Sequence, residues 1–554
     1  MKTIFTFILS GLTLVINAQS MNVDWAKSNS DVGAGSMAVG SDGSTYYTGA
    51  FFATKDFDPG PGVYNLTSNG TSDIAIYKLD PLGNFLWAKS IGSTGLDRGI
   101  AIELDNQDNI YIVGDFNGSP DFDAGSGVQT LTSNGNSDVF LLKLNSNGDF
   151  VFAKSFGGTQ YENAKSIHLV NGSSILIGGE FQGTAQFNPY SAAKNLSVVN
   201  ATDAFVLKLD WFGNFEWVKQ LGGSRDVELE DIETDQANNI IVVGEYYGTV
   251  DFDPSTSVNN ITSNGWLDSY ILKLDYNGNF IWAKSFGGPY QDLSFHVQID
   301  ALNNIYVGGI YDDAVDFDPG TGSAIITSHG NEDIFISKLD QSGNYQWTKT
   351  FGGTSTFDRI YGLKIDQNSN LTFAGTFSNS VDFDPGINTL IFTPIDFNRD
   401  GYIAQLNSNG DLNWAYSIGG AGTDLINAIA IDSIGNIYSN GYIATSADID
   451  PSPNQSYILS TGVYFQKVSF LTVGLNEKIE SSLFSIYPNP ANNTVQIKMN
   501  ETIKQIRVFN IAGKVVSIEN NSSFSVEKLE DGMYFLEIET TDGKRTKEKL
   551  VVNH

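Results

Sequence analysis

Six copies of one short pattern hold the side chains best placed for chemistry. Asp56 and Asp58, Asp121 and Asp123, Asp251 and Asp253, Asp316 and Asp318, Asp382 and Asp384, and Asp448 and Asp450 each set two carboxylates two residues apart. A seventh copy carries Gln186 and Asn188 instead. In an extended segment, residues i and i+2 point the same way. Each pair, joined by nearby carbonyls, would suit Ca²⁺, which takes about six to eight oxygen ligands. The competing role is an Asx-turn: Asp bonds its own backbone, Pro fixes the bend, and the intervening Phe packs beneath the loop. The Gly-and-Glu spacing of an EF-hand is missing. Calcium is the one cofactor this pattern implies.

Other reactive groups are sparse. The four histidines, His168, His296, His329 and His554, form neither His-x-His nor His-Glu-x-x-His, so the spacing gives no zinc site. There is no cysteine, which removes disulfides and thiolate metal sites together. A Ser-His-Asp triad can assemble from distant residues, but nothing resembles a nucleophile elbow. Carboxylate pairs for glycoside cleavage could be drawn from many Asp residues, so their abundance singles none out. Two aromatics interrupt an otherwise regular pattern and could stack on a sugar or anchor a protein: Trp266, beside Gly265, and Tyr290. Tyr161 and Tyr190 fall on the same side of the repeat, whereas Trp211 falls in a tight turn on the other.

The frame that positions these residues is an internal repeat. A motif close to Gly-Asn-Phe-x-Trp-Ala-Lys-Ser-Phe-Gly-Gly has its aromatic anchor at Trp25, Trp87, Phe152, Trp217, Trp282, Trp347 and Trp414, at intervals of 62, 65, 65, 65, 65 and 67 residues. Such regularity marks one structural unit copied along the chain, with the anchor in its core. In one copy Phe295 to Asp300 alternates as a half-buried strand, and Ile305 to Ile310 is a second. A long connection holds Asp316 to Gly320. Asp333 to Leu339 is a third strand, Asp340 to Asn344 a hairpin turn, and Tyr345 to Phe351 a fourth strand. The Gly-Gly pairs that follow read as turns, not phosphate loops, because no helix follows them. Four antiparallel strands per copy is the plan of a propeller blade. The first Trp strand, Asn22 to Ser28, lacks the three strands that should precede it. The last copy ends at its third strand, Tyr464 to Phe470. One fits the gap in the other, which predicts a closed seven-bladed β-propeller without free sheet edges. Over roughly Asn22 to Phe470 the chain resembles bacterial β-propeller repeat proteins. That resemblance brings no activity with it, and the Gly-His and Trp-Asp signature of WD repeats is absent.

After residue 474 the repeat stops. Residues 475–482 read as a linker and 483–554 as a small β-sandwich with strands at Val495 to Met499, Ile506 to Asn510, Leu529 to Ile538 and Lys549 to Val552. Tyr487-Pro488-Asn489-Pro490, the Asn510-Ile511-Ala512-Gly513-Lys514 turn and the Leu529-x-x-Gly532-x-Tyr534 strand resemble, in order, the type A sorting domain of the type IX secretion system. The resemblance implies handling by that machinery, passage across the outer membrane of a Gram-negative cell, and release or surface attachment of the passenger. The opposite end agrees. Lys2, an apolar run from Ile4 to Ile16 and the small Ala18 read as a signal peptide of residues 1–18, which leaves a propeller domain of 19–474. No lipid-accepting Cys follows, and no later run is long and apolar enough for a transmembrane helix.

The net charge is −32, and the acidic excess lies entirely before Leu483. Nucleic acid is excluded as a partner, because its binding rests on Lys and Arg neutralising phosphate. These readings converge on an all-β, secreted or cell-surface, non-catalytic adhesion scaffold whose ligand is a glycan or a surface protein. The alternative is a propeller-fold polysaccharide hydrolase or lyase, since the fold hosts both.

Overall fold

The computed structural model describes residues 20–29, 32, 33, 35–170, 172–189, 194–354, 357–451, 457–471, 484–499, 502–510, 514–541 and 545–554. The expected signal segment and linker, and Tyr190, lie outside the described residues. Two compact units emerge, one spanning Gln19–Leu471 and the other containing Thr472–His554. Regular structure among the described residues is β throughout, apart from one short 3-10 turn at Ile395–Phe397.

In the larger unit each copy of the repeat becomes four antiparallel strands. The fifth copy pairs Leu293–Ile299, Ile305–Tyr311, Asp333–Leu339 and Tyr345–Phe351 in that order. The second strand is buried along its whole length and the third at every residue but Lys338, which is why both are rich in Ile, Val, Tyr and Phe without a clean alternation. The first strands of the successive copies are Ser36–Val39, Arg98–Leu104, Glu162–Val170, Val227–Thr234, Leu293–Ile299, Arg359–Ile365 and Leu425–Ile431. Each packs against the next, and the last packs back against Ser36–Val39. Ser20–Asn29 completes the final copy by pairing antiparallel with Ile458–Leu471, Met21 opposite Phe470 and Asn29 opposite Val463.

The repeated aromatic anchor is a joint between copies: Trp25 is buried, and the other six rings are half-buried against the cores. The Trp25 indole N–H donates to Pro81 O at 2.9 Å in the following copy. Its ring lies against the next hairpin turn, where a Cβ on Gly83 would come within 2.6 Å of it. Gly83 also has φ +76, so this position needs glycine for both conformation and space. The ring at 87, 152, 217, 282 or 347 meets Gly148, Gly213, Gly278, Gly343 or Gly410 in the same manner.

Three of the five Gly-Gly pairs that follow the anchor strands differ from the turns expected of them. Gly157 and Gly158 extend the outer strand and pair with Gln186 and Ala185 of the next copy. Gly222 and Gly223, and Gly419 and Gly420, do the same with Asp251 and Val250, and with Asp448 and Ala447. A Cβ on Gly158 would sit 2.1 Å from Thr184 O, so glycine is needed for this backbone approach.

The smaller unit contains two antiparallel sheets. One holds Phe484–Tyr487, Thr494–Met499 and Ser523–Ser525; the other holds Val515–Glu519, Ile503–Asn510, Gly532–Thr540 and Arg545–Val552. Val495, Ile497 and Phe524 from the first share a core with Ile506, Val508, Leu536 and Leu550 from the second. Val515–Glu519 and Ser523–Ser525 were not legible as strands in the sequence.

Candidate functional site

In each Asp-x-Asp loop the first side chain closes a short loop onto itself. Asp316 Oδ1 accepts the backbone N–H of Asp318 at 3.2 Å and of Ala324 at 2.7 Å, and Asp318 Oδ1 accepts that of Gly320 at 2.8 Å. Asp56 with Asp58, Asp121 with Asp123 and Asp382 with Asp384 repeat all three bonds. Asp251 with Asp253 does so too, with Ser255 as the last donor. At Asp448 and Asp450 the first carboxylate again accepts two amides, from Asp450 and Tyr457. Gln186 does the same with its amide oxygen, which accepts Asn188 N and Lys194 N. A neutral side chain therefore serves this purpose, and the bonding is that of the Asx-turn. The intervening Phe57, Phe122, Phe187, Phe252, Phe317 and Phe383 are fully buried. Each meets an aromatic ring at the end of its own second strand edge-on, as in Phe317 against Tyr311 at 5.2 Å.

Trp266 and Tyr290 both stand in solvent, 58% and 52% exposed, on the edge that carries the long connections. Their segments are tied by a bridge between Leu267 and Gln291. Tyr161 is exposed on the same edge. Trp211 packs instead against Tyr111 at 5.2 Å, with Lys143 over its ring.

The first strands enclose a cavity of about 450 Å³ that the sequence did not disclose. A β-bulge in these strands aims extra side chains into it. Ala164 pairs with Gly179 and Ser166 with Gly178, leaving Lys165 unpaired between them; Glu230 and Phe295 occupy the same place in the next two copies. Bulges re-aim side chains in this way, so adjacent residues such as Lys165 and Ser166, or Glu230 and Asp231, both face the cavity.

Three cavity residues form a charged array across copies. His168 Nε2 lies 3.2 Å from Glu233 and 2.9 Å from Thr234 Oγ1, and Nδ1 lies 3.8 Å from Glu103. Burial opposes a charge on His168, but Glu233 and Glu103 outweigh it and raise its pKa. Burial pushes Glu103 up to about 7, against the pull of His168. Burial likewise raises Asp231 to about 6; its carboxylate accepts Ser166 Oγ–H at 2.8 Å and Val297 N–H at 3.0 Å. His296, with Nε2 enclosed and unpartnered, is pushed down to about 3 by burial and the Lys364 charge. The cavity can thus hold protons near neutral pH and recognise a mixed-charge or hydroxylated group. Ser166 donates to a carboxylate rather than to an imidazole, so the relay of an activated serine is not assembled here.

A sequence signal for this array did exist. Glu103, His168, Glu233 and Gln298 are spaced 65 residues apart. They are one repeat position whose residue changes type while the frame around it does not.

Comparison with known proteins bears on both units. Residues 485–553 match the secretion system C-terminal sorting domain. An uncharacterised WD repeat-containing protein of Acanthamoeba polyphaga mimivirus is 25% identical over 66% of this chain and 31% of its own length. The regulatory protein FlaEY of Caulobacter vibrioides is 23% identical over 59% of this chain and 34% of its own. The chain therefore spans about a third of the length of these relatives. Among solved structures, the WD40 domain of Neurospora crassa Pan2 aligns over 64% of this chain and 92% of that domain, with 11% identity and a TM-score of 0.30. No helix among the described residues is long and apolar enough to cross a membrane.

Proposed function

We propose that this β-propeller repeat protein, which ends in a type IX sorting domain, is a non-catalytic binding scaffold displayed on the cell surface or released from it. Export to the secreted or cell-surface compartment follows from the match at residues 485–553. The finer architecture we read as seven blades with a C-terminal β-sandwich. Four-stranded copies, first strands that pack in a cycle and an N-terminal strand paired into the last copy support the former. Two sheets with a common core support the latter.

One observation carries the binding role. The loops closed by the first Asp present exposed aliphatic tips, Val63, Val128, Val258 and Ile387, on the same edge as Trp266 and Tyr290. Each tip alone would be ordinary surface; their recurrence at one place in successive copies is what supports reading this edge as the interaction surface. Loops on a rigid scaffold are where binding concentrates. Aromatic and aliphatic groups set among acidic loops suit the faces of sugar rings in a glycan, or a surface protein. A hydrolase reading would need a carboxyl pair facing an open gap; His168 fills the space between Glu103 and Glu233. The test is a glycan array and surface-protein pull-down with the Gln19–Leu471 fragment and its Trp266→Ala and Tyr290→Ala variants. The reading expects binding that these variants weaken without lowering the melting temperature. Turnover of a bound polysaccharide, abolished by Glu103→Gln, would replace it with the enzyme.

A further inference from the structure

We infer that the chain binds one divalent cation, calcium by its chemistry, between the third and fourth copies of the repeat on Glu228, Glu230 and Glu245. Glu228 and Glu230 lie on Val227–Thr234, and Glu245 lies on the neighbouring Ile240–Tyr246, directly opposite Glu228. One carboxylate oxygen from each residue lies within 4.8 Å of the other two. Ligands on opposite sides of an ion with bonds of about 2.3–2.6 Å are separated by about that distance. Like charges set directly across a ladder are destabilising, so this pairing needs a compensating charge.

The compensation among the neighbouring side chains is incomplete. Lys165 Nζ lies 2.6 Å from Glu230 and 3.8 Å from Glu228. A fourth carboxylate, Glu180, is near enough to raise the pKa of Glu230 and Glu245. It accepts a hydrogen bond from Asn163 at 3.0 Å. Four carboxylates thus face a single ammonium.

A second observation points to a ligand. Glu245 is 6% exposed, and its Oε2 is enclosed without a hydrogen-bond partner. An enclosed carboxylate oxygen that receives nothing is costly. Tyr270 Oη is also enclosed and unpartnered, and its ionisation feels the charge of Glu245. A cation at the carboxylates would satisfy the orphan oxygen and the excess charge together. The donors are all oxygens, with neither imidazole nor thiolate among them, which selects a hard ion. Calcium tolerates irregular geometry, whereas magnesium demands a near-ideal octahedron. The inference is independent of the binding role proposed for the loop edge.

The test is calcium chloride titrated into the chelator-treated full chain, by calorimetry and equilibrium dialysis. Glu245→Gln and Glu228→Gln are compared with the loop variant Asp316→Asn. The expected result is loss of one equivalent of calcium in both Glu variants and retention in Asp316→Asn. Glu→Gln also relieves repulsion, so these variants should melt no lower than the parent in chelator. Glu228 is the more exposed of the two and serves if Glu245→Gln does not fold. Unchanged stoichiometry in a folded Glu variant, or no binding by the parent at millimolar calcium, would overturn the site.

Discussion

Replacing Glu162 by Gln should stabilise the protein at pH 8 and leave it nearly unchanged at pH 5. Glu162 is fully buried: Oε2 accepts Gly158 N–H at 2.7 Å, and Oε1 is enclosed without a partner. Burial, opposed by the Gly158 bond and reinforced by Asp138, pushes its pKa from 4.5 up to about 8. The unfolded chain releases this proton near 4.5, whereas the folded chain keeps it to about 8. A raised carboxyl pKa thus leaves stability intact below the lower value and erodes it as pH climbs to the upper one. At about 1.4 kcal/mol per pKa unit, the cost approaches ~4 kcal/mol at pH 8 for a dry site, and water entry would bring it to about 1–3 kcal/mol. At pH 5 the same arithmetic leaves under ~1 kcal/mol. Gln keeps an acceptor for Gly158 and cannot ionise. For a domain of this size the gain is roughly 2–5 °C in melting temperature, scaling down from the value for smaller domains. The assay is thermal unfolding of parent and variant at pH 5 and pH 8 in chelator. Equal shifts at both pH values, or a loss at pH 8, would refute the reasoning.

Burial also raises Asp138, Asp268 and Asp358 to about 6 and Asp292 and Asp400 to about 7. Linkage of the same sign therefore makes the whole repeat unit melt higher at pH 5 than at pH 8, and a flat profile between them would contradict these assignments. Trp282→Ala removes the half-buried ring that meets the Gly343 turn of the next copy, and chemical unfolding should show a loss of about 1–3 kcal/mol, below that of a fully buried aromatic. Imidazole resonances followed by NMR should place His168 above its ordinary 6.5 and His296 near 3. Two histidines titrating together at 6.5 would mean that the cavity is freely hydrated.

The strand plan was legible because one physical signal, the turn closed on its own Asp, repeats in the sequence. Turns such as Asp340 to Asn344 close on the Asp340 carboxylate, which accepts Ser342 N–H and Asn344 N–H. The third and fourth strands of that copy, Asp333–Leu339 and Tyr345–Phe351, begin and end where the turn chemistry predicts. The Asp-x-Asp loops were legible as two alternatives, and the Gln186 copy displays why the turn needs no charge. The Gly-Gly pairs misled because glycine serves close backbone approach as well as turns, as Gly158 against Thr184 does. In the smaller unit Val515–Glu519 escaped notice because it is largely exposed and so lacks an apolar alternation. The cavity array escaped for a different reason. It depends on a bulge that one sequence window cannot reveal, and on residues 65 positions apart whose adjacency exists only once the copies pack side by side.

The C-terminal unit is expected to export the repeat scaffold. The direct measurement is the location of the full chain and of a chain ending at Ser482, each expressed in a Gram-negative host with a type IX system. Surface proteolysis and blotting of the medium report the result. The full chain is expected to reach the surface or medium, and the shortened chain to stay in the periplasm, folded. Equal appearance of both chains outside the cell would contradict that export role.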